Sequence, residues 1–375
     1  MLVARKPAFP AGASLSEALD PGRNNFDLLR LCAALAVMFG HSFWVQPAHH
    51  RTEPILEFTG LEYSGSLAVF TFFLISGILV SASYDRQKSI ARFVVLRLVR
   101  IFPALIACVF VTAFLLYPLF STRGFNASEA GGYLIRNATL FAGLQFSLPG
   151  LFEELPLKTV NASLGTLPIE LECYLLVMAA GLLGCFRSKW ASAAFWAVAV
   201  TAFLWIAAHG YDARFFRDLT ARPSGYSFFA PPFFMLGGFL YSVRDKISVN
   251  PLIGILLLPL YIFNRHNIFG TVLFYPLFIY WVFLLATTPL LHRFRPRSDY
   301  SYGVYLWAFP VQQIVASFFP ALDNLLGLAI AMPATLVVAA ISWHCVEHPC
   351  ITFFRNRKSR SRIQMPIAGS AVPKA

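Results

Sequence analysis

Ten apolar runs of about membrane-spanning length divide the chain, near residues 28–46, 66–84, 101–120, 164–186, 190–208, 227–243, 250–263, 268–291, 300–319 and 325–346. A helix that crosses the hydrocarbon core needs about 20 mostly apolar residues. The pattern therefore predicts an all-α polytopic integral membrane protein with about ten transmembrane helices. The run at 250–263 is short and carries Pro251 and Pro259, which makes it the weakest of the ten. A further apolar stretch at 134–146 is too short to cross and starts with Arg136 and Asn137, so an interfacial or re-entrant piece is expected there. Composition agrees. Only 13% of the 375 residues are charged, against about 25% in an average soluble domain.

The net charge of +12 does not point to nucleic acid, because the basic residues sit in the short gaps between apolar runs. That is the topology signal of membrane helices. With the N-terminus inside, the outer loops hold only Arg51, Arg123, Arg136, Lys158, Arg214, Arg217, Arg222 and Arg265, and the remaining lysines and arginines of the 30 fall inside. An even number of spans with both termini cytoplasmic keeps that asymmetry. The expected organisation is a cytoplasmic N-terminal segment (1–24), a transmembrane domain (25–354) and a basic, disordered cytoplasmic tail (355–375). No cleavable signal peptide is expected ahead of the first run. Cys32, Cys108, Cys173, Cys185, Cys345 and Cys350 show no CxxC spacing and read as small buried residues, with neither a disulfide nor a metal site expected.

Ionisable residues inside such spans are costly and mark function. "NFDLLRLCAALAVMFGHSFWV" carries Arg30 and His41. Eleven residues advance a helix by about 1100°, roughly 20° past three full turns, and by about 16 Å. The two side chains thus share a face, Arg30 near the inner edge and His41 in the outer half. In "SLGTLPIELECYLLV", Glu170 and Glu172 are about 200° apart and cannot both face one cavity. Glu170 comes out at a depth similar to His41, so the two are expected to meet, a carboxylate orienting an imidazole. Pro168 predicts an irregular start to that helix.

The inner loop "ARFVVLRLVRIFP" places Arg97 and Arg100 three apart, on one face if helical, as suits phosphates; plain positive-inside topology explains them equally well. Ser76-Gly77 reads as close helix packing, since no nucleophile elbow surrounds the serine. "SYGVYLWAFPVQQ" sets Tyr302 and Tyr305 near the inner end of the ninth span, with Gln312 and Gln313 deeper. In "SWHCVEHP", His344 and Glu347 are expected on one face, with Glu347 able to pair with an inner arginine. The N-x-[ST] triplets at Asn126, Asn137 and Asn161 read as coincidence.

Taken in order, the Arg30–His41 spacing, "FFLISGILV", "RLVRIFPAL", "SLGTLPIELECYLL", "SYGVYLWAFPVQQ" and "WHCVEHP" resemble the membrane acyltransferase-3 family, bacterial proteins that O-acylate sugars and related molecules. The resemblance spans about residues 22 to 352. It implies a multi-pass protein of the bacterial inner membrane that uses acetyl-CoA as donor, a sugar or surface polysaccharide precursor as acceptor, and no metal. It further implies that His41 is the catalytic histidine, Arg30 its partner near the donor's entrance, Glu170 the glutamate of the fourth motif, and Arg97 and Arg100 the donor's arginines. Tyr302 and Glu347 join the expected substrate site. Two positions depart from the family: Gly165 replaces a common tryptophan, and Ala308 stands where some relatives have a histidine. Ten spans with buried Arg30, His41 and Glu170 also fit a carrier, a proton-coupled transporter or a flippase of a lipid-linked sugar. The motif set favours the enzyme.

Overall fold

The computed structural model describes residues 14–19, 22–46, 51–87, 89–209 and 230–363. Of the charges used for orientation, Arg5, Lys6, Lys88, Arg214, Arg217, Arg222 and Lys374 lie outside them, as does the chain from residue 364 on. A helix occupies each expected run: α1 (Phe26–Val45), α2 (Ser64–Gln87), α3 (Ile90–Val111), α4 (Leu167–Leu182), α5 (Lys189–His209), α6 (Ala230–Ser242), α7 (Pro251–Asn264), α8 (Ile268–Thr287), α9 (Ser301–Phe318) and α10 (Asn324–Ser342). No strand forms among the described residues.

Among the described residues seven helices are long and apolar enough to cross a membrane, fewer than the ten expected. The shortfall has physical reasons. The described part of α6 is only 13 residues, α7 has 14 residues, and α9 is diluted by Gln312, Gln313 and its tyrosines. The third span also starts earlier than expected. α3 begins at Ile90, so Arg92, Arg97 and Arg100 lie on a helix and not in a loop. The stretch after Phe125 folds as the helix Ala127–Thr139, capped by the Asn126 side chain. The helix His348–Ile363 enters the segment expected as a tail.

α2 is the central helix. Seventeen of its 24 residues are buried, against eight of 20 in α1 and six of 22 in α3. It packs along α6, where the backbones touch: a Cβ on Gly77 would lie 2.0 Å from the Phe234 carbonyl, and one on Gly237 would lie 2.3 Å from that of Leu74. Small residues allow this approach between membrane helices. The expectation for Ser76-Gly77 holds at Gly77. The cysteines differ from expectation: only Cys108 and Cys173 are buried, and Cys32 and Cys345 are exposed. A lipid-facing surface is as apolar as the interior, so a thiol is at home in either place. All six are free of disulfides.

The prolines inside helices need compensation. Pro310 has no N–H, which leaves the Leu306 carbonyl of α9 without its usual donor. Asn161 Nδ2 supplies one at 2.9 Å, while its Oδ1 accepts from the Ser163 amide at 3.1 Å and starts the 3-10 turn Ala162–Thr166. Pro168 then sits in the first turn of α4, where its missing N–H costs nothing. Asn161 and Asn137 are both buried and bonded, so neither triplet is a surface site.

Replacing Asn161 by alanine leaves the Leu306 carbonyl only the weak Cys108 thiol donor, at 3.6 Å, and should cost about 1 kcal/mol. Thermal unfolding in detergent should show a lower Tm, with partial recovery in Asn161→Ala/Pro310→Ala, where the new N–H restores the helical bond. An unchanged Tm in the single variant would refute this account.

Candidate functional site

A cavity of about 420 Å³ runs through the bundle between α2, α3, α4 and α9. On α2 its wall extends from Val69 to Arg86, and 17 residues of helix rise about 26 Å. The cavity therefore follows most of the length of a span. Its walls are mainly apolar, among them Phe72, Phe73, Leu79 and Leu96. Its polar lining gathers five of the predicted site residues: Arg30, Arg97, Arg100, Glu170 and Tyr302. His41 and Glu347 do not line it.

The arginines divide into two kinds. Arg100 donates to Asp299 at 2.5 Å and Arg30 to the same oxygen at 2.7 Å. Glu347 lies 3.8 Å from Arg100, as expected of an inner arginine partner. The Arg100 guanidinium also lies over Tyr302 and Trp343, at 5.7 and 6.0 Å from the ring centroids. Arg97 is different. It rests over the rings of Phe93 and Tyr174 at 5.8 and 5.7 Å, and its buried Nε has no hydrogen-bond partner. Among the described residues neither Arg97 nor Arg86 makes an ion pair.

Asp299 was not anticipated from the sequence. It is the one acid in the basic connection "PLLHRFRPRSDY" between α8 and α9, and that isolation was the available signal. The Ser301 amide and hydroxyl donate to its second oxygen at 3.3 and 2.5 Å, which fixes it at the start of α9. Burial alone would raise this carboxyl, but Arg100 and Arg30, with the Ser301 bonds, hold it well below the usual carboxylate range.

Arg30 stands beside the middle of the bundle's central helix. Phe26 packs with Ile75 and Leu79 of α2, so α1 starts opposite the middle of α2. Arg86 is eleven residues beyond Ile75, about 16 Å further toward the basic end. Arg86 and Arg97 stand nearer that end, and Arg30 lines the interior.

Glu170 does not meet His41. It accepts the Tyr174 hydroxyl, one turn along its own helix, and so faces the Arg97 side of the cavity. Glu172 does not line the cavity, as the 200° offset requires. His41 packs edge-on against Phe309, with ring centroids 5.1 Å apart, and its buried Nδ1 has no hydrogen-bond partner. The cavity ends one turn of α9 short of that point, at Tyr305, whose hydroxyl bonds Thr166 at 2.6 Å. Tyr302 donates to the Ile101 carbonyl at 3.0 Å.

His344 and Glu347 do not share a face. Trp343–Glu347 is a π-helical turn, wider than an α-turn, so residues three apart fall out of register. Glu347 turns inward, 2% exposed, and bonds Ser342, while His344 is exposed and bonds the Tyr300 hydroxyl. At Gly165, the Phe146 ring lies 3.5 Å from where a Cβ would stand, and Ala308 is fully buried among apolar neighbours. Among the described residues no group of His, Cys, Asp and Glu is arranged to hold a metal ion.

Comparison with known proteins bears on these features. An O-acetyl transferase of Shigella phage Sf6 is 29% identical over 344 residues, 88% of this chain and 96% of that protein. Nodulation protein 10 of Rhizobium leguminosarum bv. viciae is 30% identical over 365 residues, 88% of this chain and 93% of that protein. No solved structure matches. The model of the acyltransferase domain family Acyl_transf_3 matches residues 23–344, and the chain, a multi-pass membrane protein by its helices, belongs to that family.

Proposed function

We propose that the protein is an O-acyltransferase of the bacterial inner membrane that moves an acyl group, acetyl in the simplest case, from cytoplasmic acyl-CoA to a hydroxyl of a sugar or surface polysaccharide precursor. The observation that carries this reading is the cavity's division of charge. Among the described residues Arg86 and Arg97 make no ion pair and stand toward the basic end, while Arg30 and Arg100 are both paired with Asp299 further in. A long ligand with an anionic head and a thin, nearly uncharged arm fits that order, and acyl-CoA has that form. Its phosphates would meet Arg97 and Arg86, and its arm would follow the apolar wall toward Tyr305 and Thr166. The positive-inside count supports a cytoplasmic basic end.

In this reading the acyl carbon arrives within one turn of α9, about 6 Å of rise, from the Phe309 on which His41 packs. The Thr166–Tyr305 bond closes the cavity at that point and has to open for the two to join. His41 takes the proton of the acceptor hydroxyl, whose oxygen attacks the thioester carbonyl. The C–S bond breaks, and the departing thiolate receives the proton from the imidazolium. A transient acyl-histidine would need the same residue. General-base assistance of this kind is worth roughly 10²–10⁴ in rate. Glu170 acts on the donor side, holding Tyr174 under Arg97.

Two tests follow from this assignment. Surface glycans from intact, gene-deleted and His41→Ala cells should differ by NMR, with O-acyl signals lost in the deletion and in His41→Ala alike. Loss of the glycan itself with its acylation unchanged would mean that the protein moves sugars.

The second test separates the arginines. Arg97→Ala should raise the acetyl-CoA KM about tenfold to a hundredfold, the loss of one charge-assisted phosphate contact, with Tm near normal. Asp299→Asn should instead lower stability by about 3 kcal/mol, because unpairing a buried charge leaves its partners uncompensated. An Arg97→Ala protein with unchanged KM would remove Arg97 from the donor site.

A further inference from the structure

Beyond the Tyr305 end of the cavity, three buried polar atoms on or against α9 have no hydrogen-bond partner: His41 Nδ1, Gln312 Oε1 on the α1 side, and Gln313 Oε1, whose amide reaches the segment before α4. Native interiors rarely leave such atoms unpaired. The orientation of both amides is forced. Gln312 Nε2 donates to the Met38 carbonyl at 2.9 Å, and Gln313 Nε2 donates to the carbonyls of Leu157 and Thr159 at 2.6 and 2.5 Å. A carbonyl only accepts, so each amide nitrogen must occupy those bonds and each Oε1 is turned away from them. The side chains are 3% and 0% exposed. Two strong acceptors are thus fixed inside the bundle with nothing to receive.

Sequence spacing relates both to the residues around His41. Phe309, which carries the imidazole, precedes Gln312 by three residues and Gln313 by four, so the three occupy one face of α9. Met38, which receives Gln312, precedes His41 by three residues and shares its face of α1. His41 itself keeps part of its surface accessible. No motif of the donor cavity uses these groups.

The chemistry selects the ligand. Acceptor oxygens call for donors, and an anion such as phosphate or carboxylate has none to give. An ammonium would bring an unbalanced charge, since the described hydrogen bonds of these amides involve neutral groups only. An uncharged molecule with adjacent hydroxyls satisfies all three atoms. We propose that Gln312 and Gln313 form the acceptor subsite, their amide oxygens receiving hydroxyls that neighbour the one whose proton His41 takes. The acceptor is then a polyol with adjacent hydroxyls, the pattern of a sugar ring. This rests on the acyl-transfer reading and adds the groups that choose and orient the acceptor.

Gln312→Met tests it, because methionine keeps the length of the side chain and removes the amide. The full chain is expressed in gene-deleted cells for glycan NMR and purified in detergent for thermal stabilisation by CoA. O-acyl content should fall at least about tenfold, the effect of one lost hydrogen bond near 1.4 kcal/mol, while CoA stabilises the variant as it does the parent. Normal acylation in Gln312→Met would overturn the subsite and leave those oxygens to ordinary buried water. If Gln312→Met shows no CoA response, Gln312→Asn takes its place, since it keeps an amide one methylene short of Met38. Full acylation with Gln312→Asn would equally overturn the proposal. If gene deletion leaves O-acyl content unchanged, the acyl-transfer reading itself fails, a result separate from the variant's, and the subsite falls with it.

Discussion

Two arginines inside an apolar bundle can coexist only if something cancels them, and here one carboxylate does most of that. Asp299 receives Arg30 from α1 and Arg100 from α3 on the same oxygen, while Ser301 holds the other. At about 4 Å, two unit charges interact with roughly 4 kcal/mol at an effective dielectric of 20. Two guanidiniums this close would repel on that scale without the carboxylate between them. Glu347 reaches the cluster from the π-turn after α10 and lies 3.8 Å from Arg100. Four segments distant in sequence are tied at one point, and the cavity's inner wall takes its shape from that tie. The consequence for binding is direct. Because the inner arginines are both paired with Asp299, the cavity's arginines that make no ion pair among the described residues are Arg86 and Arg97.

What the sequence disclosed, and what it hid, follows the range of the interactions. Helices appear where apolar runs predict them, because burial and hydropathy are local. Pro168 starts α4 through a 3-10 turn for a local reason as well. Gly77 was legible for a similar reason, since a small residue in a crowded span implies a close neighbour; only the identity of the neighbour, Gly237, needed the structure. Asp299 was hidden because its partners lie 269 and 199 residues away, and nothing periodic connects an acid in a loop to arginines in two helices. The π-turn at Trp343–Glu347 was hidden because face arithmetic assumes 3.6 residues per turn throughout.

The failed pairing of His41 with Glu170 shows the limit most clearly. Glu170 lines the cavity on the Arg97 side, whereas His41 lies past its Tyr305 end. Depth along a helix does not determine rotation, and Tyr174 stands four residues after Glu170 on its own helix. A hydroxyl at that spacing reaches the carboxylate without any tertiary arrangement. The local partner took the acid, and the histidine was left to neutral company.

That neutral company bears on how transfer would proceed. Among the described residues His41 is bonded to no carboxylate, and the polar groups that spacing relates to it are amides and backbone carbonyls. An imidazolium formed there gains no anionic neighbour from the protein, and an unpaired charge in such surroundings is expensive. The anion that can balance it is the thiolate released from the donor. On this reading the acceptor's deprotonation and the cleavage of the thioester draw together, because each supplies the charge that makes the other tolerable.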